Sequence, residues 1–360
     1  MLRDVHVLGI RSKTHLTPEL LTQAEKLLVV GAFCIGTDQI ALPTAAQQGI
    51  CVFNSPYSNT RSVAELVIGA TIVLMRKLYS KAVAMDQGVW DKSSDGCHEV
   101  RGKTLGIIGY GHIGTQVSVL AESLGMRVQF YDIVPKMALG NARACESLDE
   151  LLTTSDVVTL HVPEDKTTLN LIGKKELARM RKGSCLINYA RGKVIDAAAV
   201  ADAVKRGHLT GAAVDVFVAE PQKAGDTFDS PLRNLPNVML SPHIGGSTEE
   251  AQENIGLDVA QKIIQFLDRG VSMGSKTLPE LNLPLQAGMH RLLHIHKNVP
   301  GVVGEINRQI ANLGINIAGQ YLKTQEQIGY VVFDIEQGNT PKALEAIRQI
   351  PGTIKARSLY

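Results

Sequence analysis

Short apolar runs alternate with helix-length amphipathic segments between residues 103 and 242. Strand candidates lie at 104–109, 126–132, 156–162, 184–189, 211–217 and 238–240, and helix candidates lie at 113–124, 148–153, 174–180 and 197–206. Runs such as 157–160 are apolar at nearly every position, which is typical of a parallel sheet covered by helices on both faces. The alternation therefore predicts an α/β fold with a doubly wound, Rossmann-type nucleotide domain.

The first 58 residues show the same alternation in a shorter form. Strands are predicted at 5–10, 27–33 and 50–53, with a helix at 18–24. Long helical patterns at 62–78 and 247–267 flank the central region, and we expect them to connect two α/β domains. The expected division is a smaller, flavodoxin-like domain from 1–58 and 246–284, around a nucleotide domain at 59–245.

The pattern changes after residue 269. Residues 270–284 mix Gly, Ser and Pro without periodicity, which predicts a linker. Strand candidates then lie at 291–296, 315–323, 329–335 and 353–359, and helix candidates lie at 300–313 and 341–350. The order βαββαβ predicts a third, ferredoxin-like domain at 288–360.

Composition excludes several classes of protein. The 360 residues are 44% apolar and 20% charged with a net charge of +2, so nucleic acid and membrane surfaces are not expected partners. No apolar run is long enough to span a bilayer, and the N-terminus lacks a signal-peptide layout. The five cysteines are scattered without a CxxC pair, which favours reduced thiols in a cytoplasmic protein over disulfides or a metal site.

A dinucleotide motif follows the first central strand. Gly109, Gly111 and Gly114 form GxGxxG at the start of a helix, and Asp132 closes the next strand. The glycines allow a tight turn, close approach of the pyrophosphate and packing of helix on strand, and the acid can bind a ribose hydroxyl. NAD is favoured over NADP, because only Lys136 nearby could pair with a 2′-phosphate. A structural turn that binds nothing is the alternative.

Three polar residues follow later strands of the same sheet. Arg191, Glu220 and His243 each lie just past the carboxyl end of a predicted strand, where ligands bind in such sheets. A histidine can take a hydroxyl proton near neutral pH, a carboxylate can orient it, and an arginine can hold a substrate carboxylate. Each residue alone has a structural alternative, as a helix-cap neighbour, surface ion pair or core histidine. Together they indicate hydride transfer from a hydroxy acid.

These segments resemble the D-2-hydroxyacid dehydrogenase family, in its branch with a C-terminal ACT domain. The stretches that carry the resemblance are 36–38, 59–66, 109–114, 161–163, 188–192, 215–221 and 243–248. The resemblance implies oxidation of 3-phosphoglycerate to 3-phosphohydroxypyruvate, the first step of serine synthesis. It also implies feedback inhibition by L-serine. Paired ACT domains and paired nucleotide domains would each form a two-fold interface, so a homotetramer is expected.

The resemblance assigns residues to each ligand. For catalysis it implies the substrate arginine Arg191 and the acid/base pair of Glu220 and His243. The residues implied for NAD are Gly109, Gly111, His112, Ile113, Gly114, Asp132, His161, Pro163, Ala190, Asp215, His243 and Gly245. The residues implied for the substrate are Arg11, Ser12, Lys13, Gly36, Asn59, Lys92 and Arg191, and those implied for serine, between paired ACT domains, are His296, Asn298 and Asn316.

One departure from the family concerns the start of the chain. The family's substrate domain begins with a strand, a helix and another strand before the segment that matches 5–10, where this chain begins. We therefore expect a truncated or rebuilt domain with a bare sheet edge. Two alternatives stay open: a catalytically inactive regulator that binds NAD and serine, and a dehydrogenase for a non-phosphorylated hydroxy acid. Arg11, Lys13 and Lys92 argue against the second.

Overall fold

The computed structural model describes residues 2–221, 223, 225–284, 288–336 and 340–359. The chain divides into two compact units: the first comprises Met1–Ser58 and Gln252–Tyr360, and the second comprises Asn59–Ala251. The first unit contains both the N-terminal sheet and the C-terminal sheet. The division into three domains made from the sequence stays a prediction.

A small parallel sheet of order β1-β2-β3 begins the first unit. The elements are β1 (Val7–Ile10), α1 (Pro18–Thr22), β2 (Val29–Ala32), α2 (Leu42–Gln47) and β3 (Cys51–Asn54). Strands β2 and β3 are buried throughout, whereas β1 is partly exposed and pairs with β2 alone among the described strands. Helix α2 was not predicted, because six residues with one buried side chain carry little periodicity.

The second unit contains a seven-stranded parallel sheet of order β10-β9-β8-β7-β4-β5-β6. Its strands are β4 (Thr104–Ile108), β5 (Arg127–Tyr131), β6 (Arg143–Ala144), β7 (Val157–Leu160), β8 (Ser184–Asn188), β9 (Leu209–Val214) and β10 (Val238–Leu240). Its helices are α3 (Thr60–Met75), α4 (Leu78–Asp86), α5 (His112–Ser123), α6 (Leu148–Thr154), α7 (Lys174–Arg179) and α8 (Ala197–Lys205). The doubly wound fold is confirmed; the exposed two-residue strand β6 was missed.

Two apolar clusters cover the faces of this sheet. Val157 of β7 belongs to a cluster with Val63 of α3 and Val117 of α5. Val158, the next residue, belongs to the cluster on the other face, with Val200 of α8. Because side chains alternate along a strand, a strand covered on both faces must be apolar at every position. This requirement produces the continuous apolar runs in the sequence.

The predicted helix 62–78 corresponds to α3, which ends three residues earlier, at Met75. Arg76 is its C-cap, and Lys77 has a left-handed φ of 50° before α4 begins at Leu78. Helix α4 buries none of its side chains. The predicted end at residue 78 was wrong and α4 was missed, because Lys77, unlike glycine or proline, gives no sequence signal for a left-handed turn.

The first unit continues with helix α9 (Glu249–Arg269), which starts just before the unit boundary, and a four-stranded antiparallel sheet. The sheet has the order β12-β13-β11-β14 and comprises β11 (His290–Lys297), α10 (Val302–Asn312), β12 (Ile317–Gln325), β13 (Ile328–Ile335), α11 (Thr340–Arg348) and β14 (Thr353–Ser358). The βαββαβ order confirms the predicted ferredoxin-like fold.

Residues 270–284, predicted as a linker, pack into the first unit. Val271, Leu278 and Leu283 are buried in its core. The amide of Lys276 donates to the carbonyl of Val52 at 2.8 Å, so this segment pairs with β3. The segment has no helix or strand, as expected for a linker, and its glycines and serines lie in turns that keep it within the first unit.

The C-terminal carbonyls of α9 receive donors from the four-stranded sheet. The Arg291 guanidinium donates to the carbonyl of Arg269 at 3.0 Å, and the Tyr330 hydroxyl donates to that of Gly270 at 2.7 Å. Arg291 also forms a fully buried ion pair with Asp334, at 2.6 and 2.7 Å. Cations at a helix C-terminus are favourable because the carbonyls there lack intrahelical partners. The sheet is thereby joined to α9 by buried polar contacts.

Candidate functional site

The glycine-rich turn lies between β4 and α5. Gly109 has a φ of 90°, and a Cβ there would lie 2.5 Å from the carbonyl oxygen of His161. A Cβ on Gly114 would overlap the carbonyl of Gly109, whereas one on Gly111 would meet nothing within 4 Å. Two of the glycines are therefore required by the fold, and Gly111 faces open space.

Asp132, just past the end of β5, is bonded to the same turn. One carboxylate oxygen accepts from the amide of Tyr110 at 2.8 Å, and the other accepts from the amide of Val134 at 2.9 Å. Each carboxylate oxygen can accept more than one hydrogen bond, so capacity remains for a ribose hydroxyl. The acid is only partly buried.

The turn fits a dinucleotide such as NAD. Helix α5 starts at His112 and Ile113 after Gly111, which has no side chain to cap the first amides, so these can face a phosphate. Burial lowers the pKa of His161 to about 3, which keeps its ring neutral. Its Nε2 lies 3.0 Å from the Thr159 hydroxyl, while its buried Nδ1 has no hydrogen-bond partner among the described residues. A buried polar atom of this kind is one that a ligand can satisfy.

His243 and Glu220 form a direct pair. Nδ1 of His243 lies 3.0 and 2.9 Å from the two carboxylate oxygens of Glu220, and both side chains are partly exposed. The amide of Phe217 donates to the same carboxylate at 3.0 Å, which fixes its position. Because a carboxylate only accepts, Nδ1 carries a proton and Nε2 is left to exchange one.

The segment that carries His243 is held by Asp215. This carboxylate is 1% exposed and accepts from the Ser241 hydroxyl at 2.6 Å and from the amides of Ile244 and Gly245 at 2.9 and 2.7 Å. His243 itself has a left-handed φ of 56°. A non-glycine residue keeps such a φ only where its surroundings fix it, and the bonds on both sides of His243 do so. Sequence reasoning missed Ser241, although its place two residues before His243 was a signal.

Arg191 follows β8 in the same unit. Its Nη1 donates to the carbonyl of Ala190 at 2.8 Å, and its own carbonyl accepts from the Asn188 amide at 3.0 Å. The next residue, Gly192, lies so close to Phe217 that a Cβ would overlap the Phe217 backbone. The Arg191 segment thus packs against the segment that leads to Glu220.

The carbonyl of Pro163, after β7, accepts from the Thr168 hydroxyl at 2.7 Å.

The residues predicted for the substrate belong to both units. Arg11, Ser12, Lys13 and Gly36 lie in the first unit, and Asn59, Lys92 and Arg191 lie in the second. Arg11 donates to the side-chain carbonyl of Gln252 at 2.6 Å, and Lys92 is exposed. Asn59 lies against Gly246, and a Cβ on Gly246 would overlap the side-chain amide of Asn59.

The residues predicted for serine do not meet within this chain. His296 is 2% exposed on β11, and the side-chain amide of Asn298 donates to the carbonyl of Glu326 at 3.0 Å. The Asn316 amide instead donates to Glu336 at 3.1 Å, beyond the other end of β13. The distance along β13 between these positions is about 30 Å. A site that uses all three residues therefore needs a second copy of the sheet.

Other kinds of site are not apparent. Within the part of the chain that the structure describes, no group of three or more His, Cys, Asp or Glu is placed to hold a metal ion. Among the same residues no helix has both the length and the apolar character needed to cross a bilayer. All five cysteines are free thiols.

Comparison with known proteins identifies two matching families and several relatives that align with the whole of this chain. Residues 68–245 match the D-isomer specific 2-hydroxyacid dehydrogenase NAD-binding domain, and residues 292–355 match the AHAS small subunit-like ACT domain. The chain is 55% identical over 361 residues to D-3-phosphoglycerate dehydrogenase of Escherichia coli K12 and 53% identical over 359 residues to that of Haemophilus influenzae. Each alignment covers 100% of this chain and 88% of the relative.

A solved structure has the same fold. D-Lactate dehydrogenase of Aquifex aeolicus, complexed with NAD and lactic acid, is 29% identical with a TM-score of 0.68, covering 78% of this chain and 89% of that one. Together with the NAD-binding domain match, this similarity confirms NAD as the predicted cofactor.

Proposed function

Because the chain belongs to the D-2-hydroxyacid dehydrogenase family, in its D-3-phosphoglycerate dehydrogenase branch, we propose that it oxidises 3-phosphoglycerate to 3-phosphohydroxypyruvate. This is the first step of serine biosynthesis. The observation that carries the proposal is the pairing of His243 with Glu220 in the unit that also contains the glycine turn.

His243 is the acid/base residue of this proposal. Its Nδ1 proton is donated to Glu220, so Nε2 takes the proton of the substrate hydroxyl during oxidation. The Glu220 carboxylate then stabilises the imidazolium that forms. The residues that would hold NAD are the glycine turn, Asp132 and the strand-end residues His161, Pro163, Ala190, Asp215 and Gly245. Bound there, the nicotinamide would supply the acceptor for the hydride that leaves C2 of the substrate.

Arg191 binds the substrate carboxylate. One of its nitrogens donates to Ala190, and the remaining donors of the planar guanidinium can bind the two carboxylate oxygens side by side. This contact orients C2 and polarises the carbonyl that develops there. We assign the phosphate group to Arg11, Ser12, Lys13 and Lys92, with Asn59, and the carboxylate also to the backbone at Gly36.

A comparison of substrates tests the choice of 3-phosphoglycerate. NADH formation is followed with 3-phosphoglycerate, D-lactate and 2-hydroxyglutarate, for the wild type and Arg11→Ala. We expect kcat/KM to be highest for 3-phosphoglycerate and to fall in the variant for that substrate alone. A preference for D-lactate would instead favour a dehydrogenase for non-phosphorylated acids. Binding of NAD and serine without turnover would favour an inactive regulator.

We also propose feedback inhibition by L-serine and assembly into a tetramer. The ACT-domain match at 292–355 supports feedback inhibition by serine. The proposed serine ligands are His296 and Asn298 of one copy of the chain and Asn316 of a second copy. Assembly into a tetramer is supported by helix α4, where Leu78, Tyr79, Val83 and Met85 are exposed and Trp90 beyond it is 75% exposed. Exposed apolar side chains close together in the sequence favour association between copies.

A further inference from the structure

Two buried histidines lie on the same face of β11. His294 is 0% exposed and His296 is 2% exposed, and their spacing of two residues places both side chains on one face. Their Nδ1 atoms are 3.3 Å apart. Two ring nitrogens at this distance form a hydrogen bond only if one carries a proton and the other does not.

Thr353 determines which nitrogen of His294 carries the proton. The Thr353 hydroxyl lies 3.1 Å from the carbonyl of Ile347, which can only accept, so its hydrogen is donated there. The hydroxyl oxygen also lies 2.8 Å from Nε2 of His294. Because the hydroxyl has only one hydrogen, both contacts are hydrogen bonds only when Nε2 of His294 is the donor.

Both rings are neutral in the folded sheet. The pKa of His294 is lowered to about 4, mainly by burial and also by the neighbouring His296, against a smaller opposing effect of the Ile347 carbonyl. Burial also lowers the pKa of His296. A neutral imidazole carries a single proton, so Nδ1 of His294 is an acceptor and Nδ1 of His296 is its donor.

One nitrogen of His296 then remains for a ligand. Its Nε2 is an acceptor and lies directly over Gly329 of β13, where any Cβ would overlap the ring. Two residues further on, the side-chain amide of Asn298 donates one hydrogen to the carbonyl of Glu326 and retains a second. The two side chains therefore present an acceptor and a donor.

We propose that His294, held by Thr353, is a positioning residue that fixes His296 as a hydrogen-bond acceptor at Nε2. The effector group that meets His296 is then a donor, the ammonium or hydroxyl of an amino acid, and the effector carboxylate pairs with amide donors such as Asn298. This assignment rests on the proposed effector site and adds to it the orientation of the ligand.

The tautomer is measured directly on the full-length chain without ligand. Two-dimensional NMR of ¹⁵N-labelled histidine rings distinguishes protonated from unprotonated nitrogens, and the spectrum of His296→Gln assigns the signal. We expect His296 to carry its proton on Nδ1 in the wild type and to show a mixture of tautomers in Thr353→Val. The matched control is Thr340→Val, which removes the hydroxyl that lies 2.6 Å from His290 in the same sheet and leaves His296 unchanged. A wild-type His296 protonated on Nε2 would overturn the proposal.

Calorimetry tests the orientation of the ligand. L-Serine, 3-hydroxypropionate, which lacks the amine, and ethanolamine, which lacks the carboxylate, are titrated in two buffers that differ in ionisation enthalpy. We expect serine to bind without net proton uptake at pH 7 and 3-hydroxypropionate to bind more weakly than serine. We expect Thr353→Val to weaken serine binding about fivefold to tenfold, which is the cost of one misdirected hydrogen bond.

The outcomes separate this inference from the proposed function. Uptake of about one proton per serine would mean that a carboxylate meets a protonated His296, and would overturn the orientation. Failure of serine to bind, with His296 still protonated on Nδ1, would overturn serine as the effector and support the positioning role of His294. Equal serine affinity in Thr353→Val and the wild type would overturn that role.

Discussion

Glu220 offers both carboxylate oxygens to His243, at 3.0 and 2.9 Å from Nδ1 of the imidazole. A glutamine at 220 would keep a hydrogen-bond acceptor but lose the charge that stabilises the imidazolium. We expect Glu220→Gln to lower kcat by about 10²–10⁴-fold with little change in NAD affinity. Steady-state kinetics with NAD and 3-phosphoglycerate measure the effect. Glu164→Gln, which breaks the ion pair with Lys193 in the same unit, is the control, and equal kcat in both variants would contradict the assignment.

Asp215 holds the backbone on both sides of His243. An asparagine there would place an amide group against backbone N–H donors, so at least one of its three hydrogen bonds would be lost. We expect Asp215→Asn to lower kcat and to reduce the free energy of unfolding by about 1–3 kcal/mol. Ser241→Ala, which removes one of the same bonds, should have a smaller effect on both. Urea unfolding and initial rates on the same samples test this order, and it fails if Ser241→Ala is the more damaging change.

Two glycines of the nucleotide turn, Gly111 and Gly114, should differ in the kind of damage that alanine causes. Gly114→Ala overlaps the Gly109 carbonyl and should destabilise the fold by about 1–3 kcal/mol. Gly111→Ala meets no atom and its backbone is extended, so stability should be unchanged. NAD affinity should nevertheless fall at least about tenfold, because the methyl group occupies the approach of the pyrophosphate. Thermal unfolding and NAD titration distinguish the two effects, and unchanged NAD binding in Gly111→Ala would count against the predicted position of the cofactor.

The sequence predicted the elements and residues that depend on local pattern. GxGxxG after an apolar run identifies the turn at Gly109, and the common edge of a parallel sheet brings His243 towards Glu220. Contacts that depend on tertiary structure were not predictable. The bonds from Asp215 to residues 241–245 span about thirty positions, and the pairing of Lys276 with Val52 joins segments from the two ends of the first unit. His294 has no motif of its own, since its proposed role depends on Thr353 of the neighbouring strand β14, which is 59 residues away in the sequence.

The buried ion pair of Arg291 and Asp334 should be costly to break. Both side chains are fully buried, and Arg291 also donates to Arg269 and Pro284. We expect Arg291→Met to reduce the free energy of unfolding of the first unit by about 3–5 kcal/mol, because it leaves the Asp334 charge buried and unpaired. Adding Asp334→Leu should recover part of the loss. The exposed pair of Arg308 with Glu305 provides the control, and Arg308→Ala should leave the unfolding midpoint unchanged. Chemical unfolding at fixed protein concentration measures all four proteins.

The most direct test of the proposed activity is NADH formation from 3-phosphoglycerate by the full chain and by His243→Ala. The wild type should produce NADH in proportion to enzyme, and His243→Ala should be slower by about 10²–10⁴-fold. His98→Ala, which replaces an exposed histidine in the same unit, should match the wild type. Absence of substrate-dependent NADH from the wild type, or equal rates in His243→Ala, would contradict the proposed function.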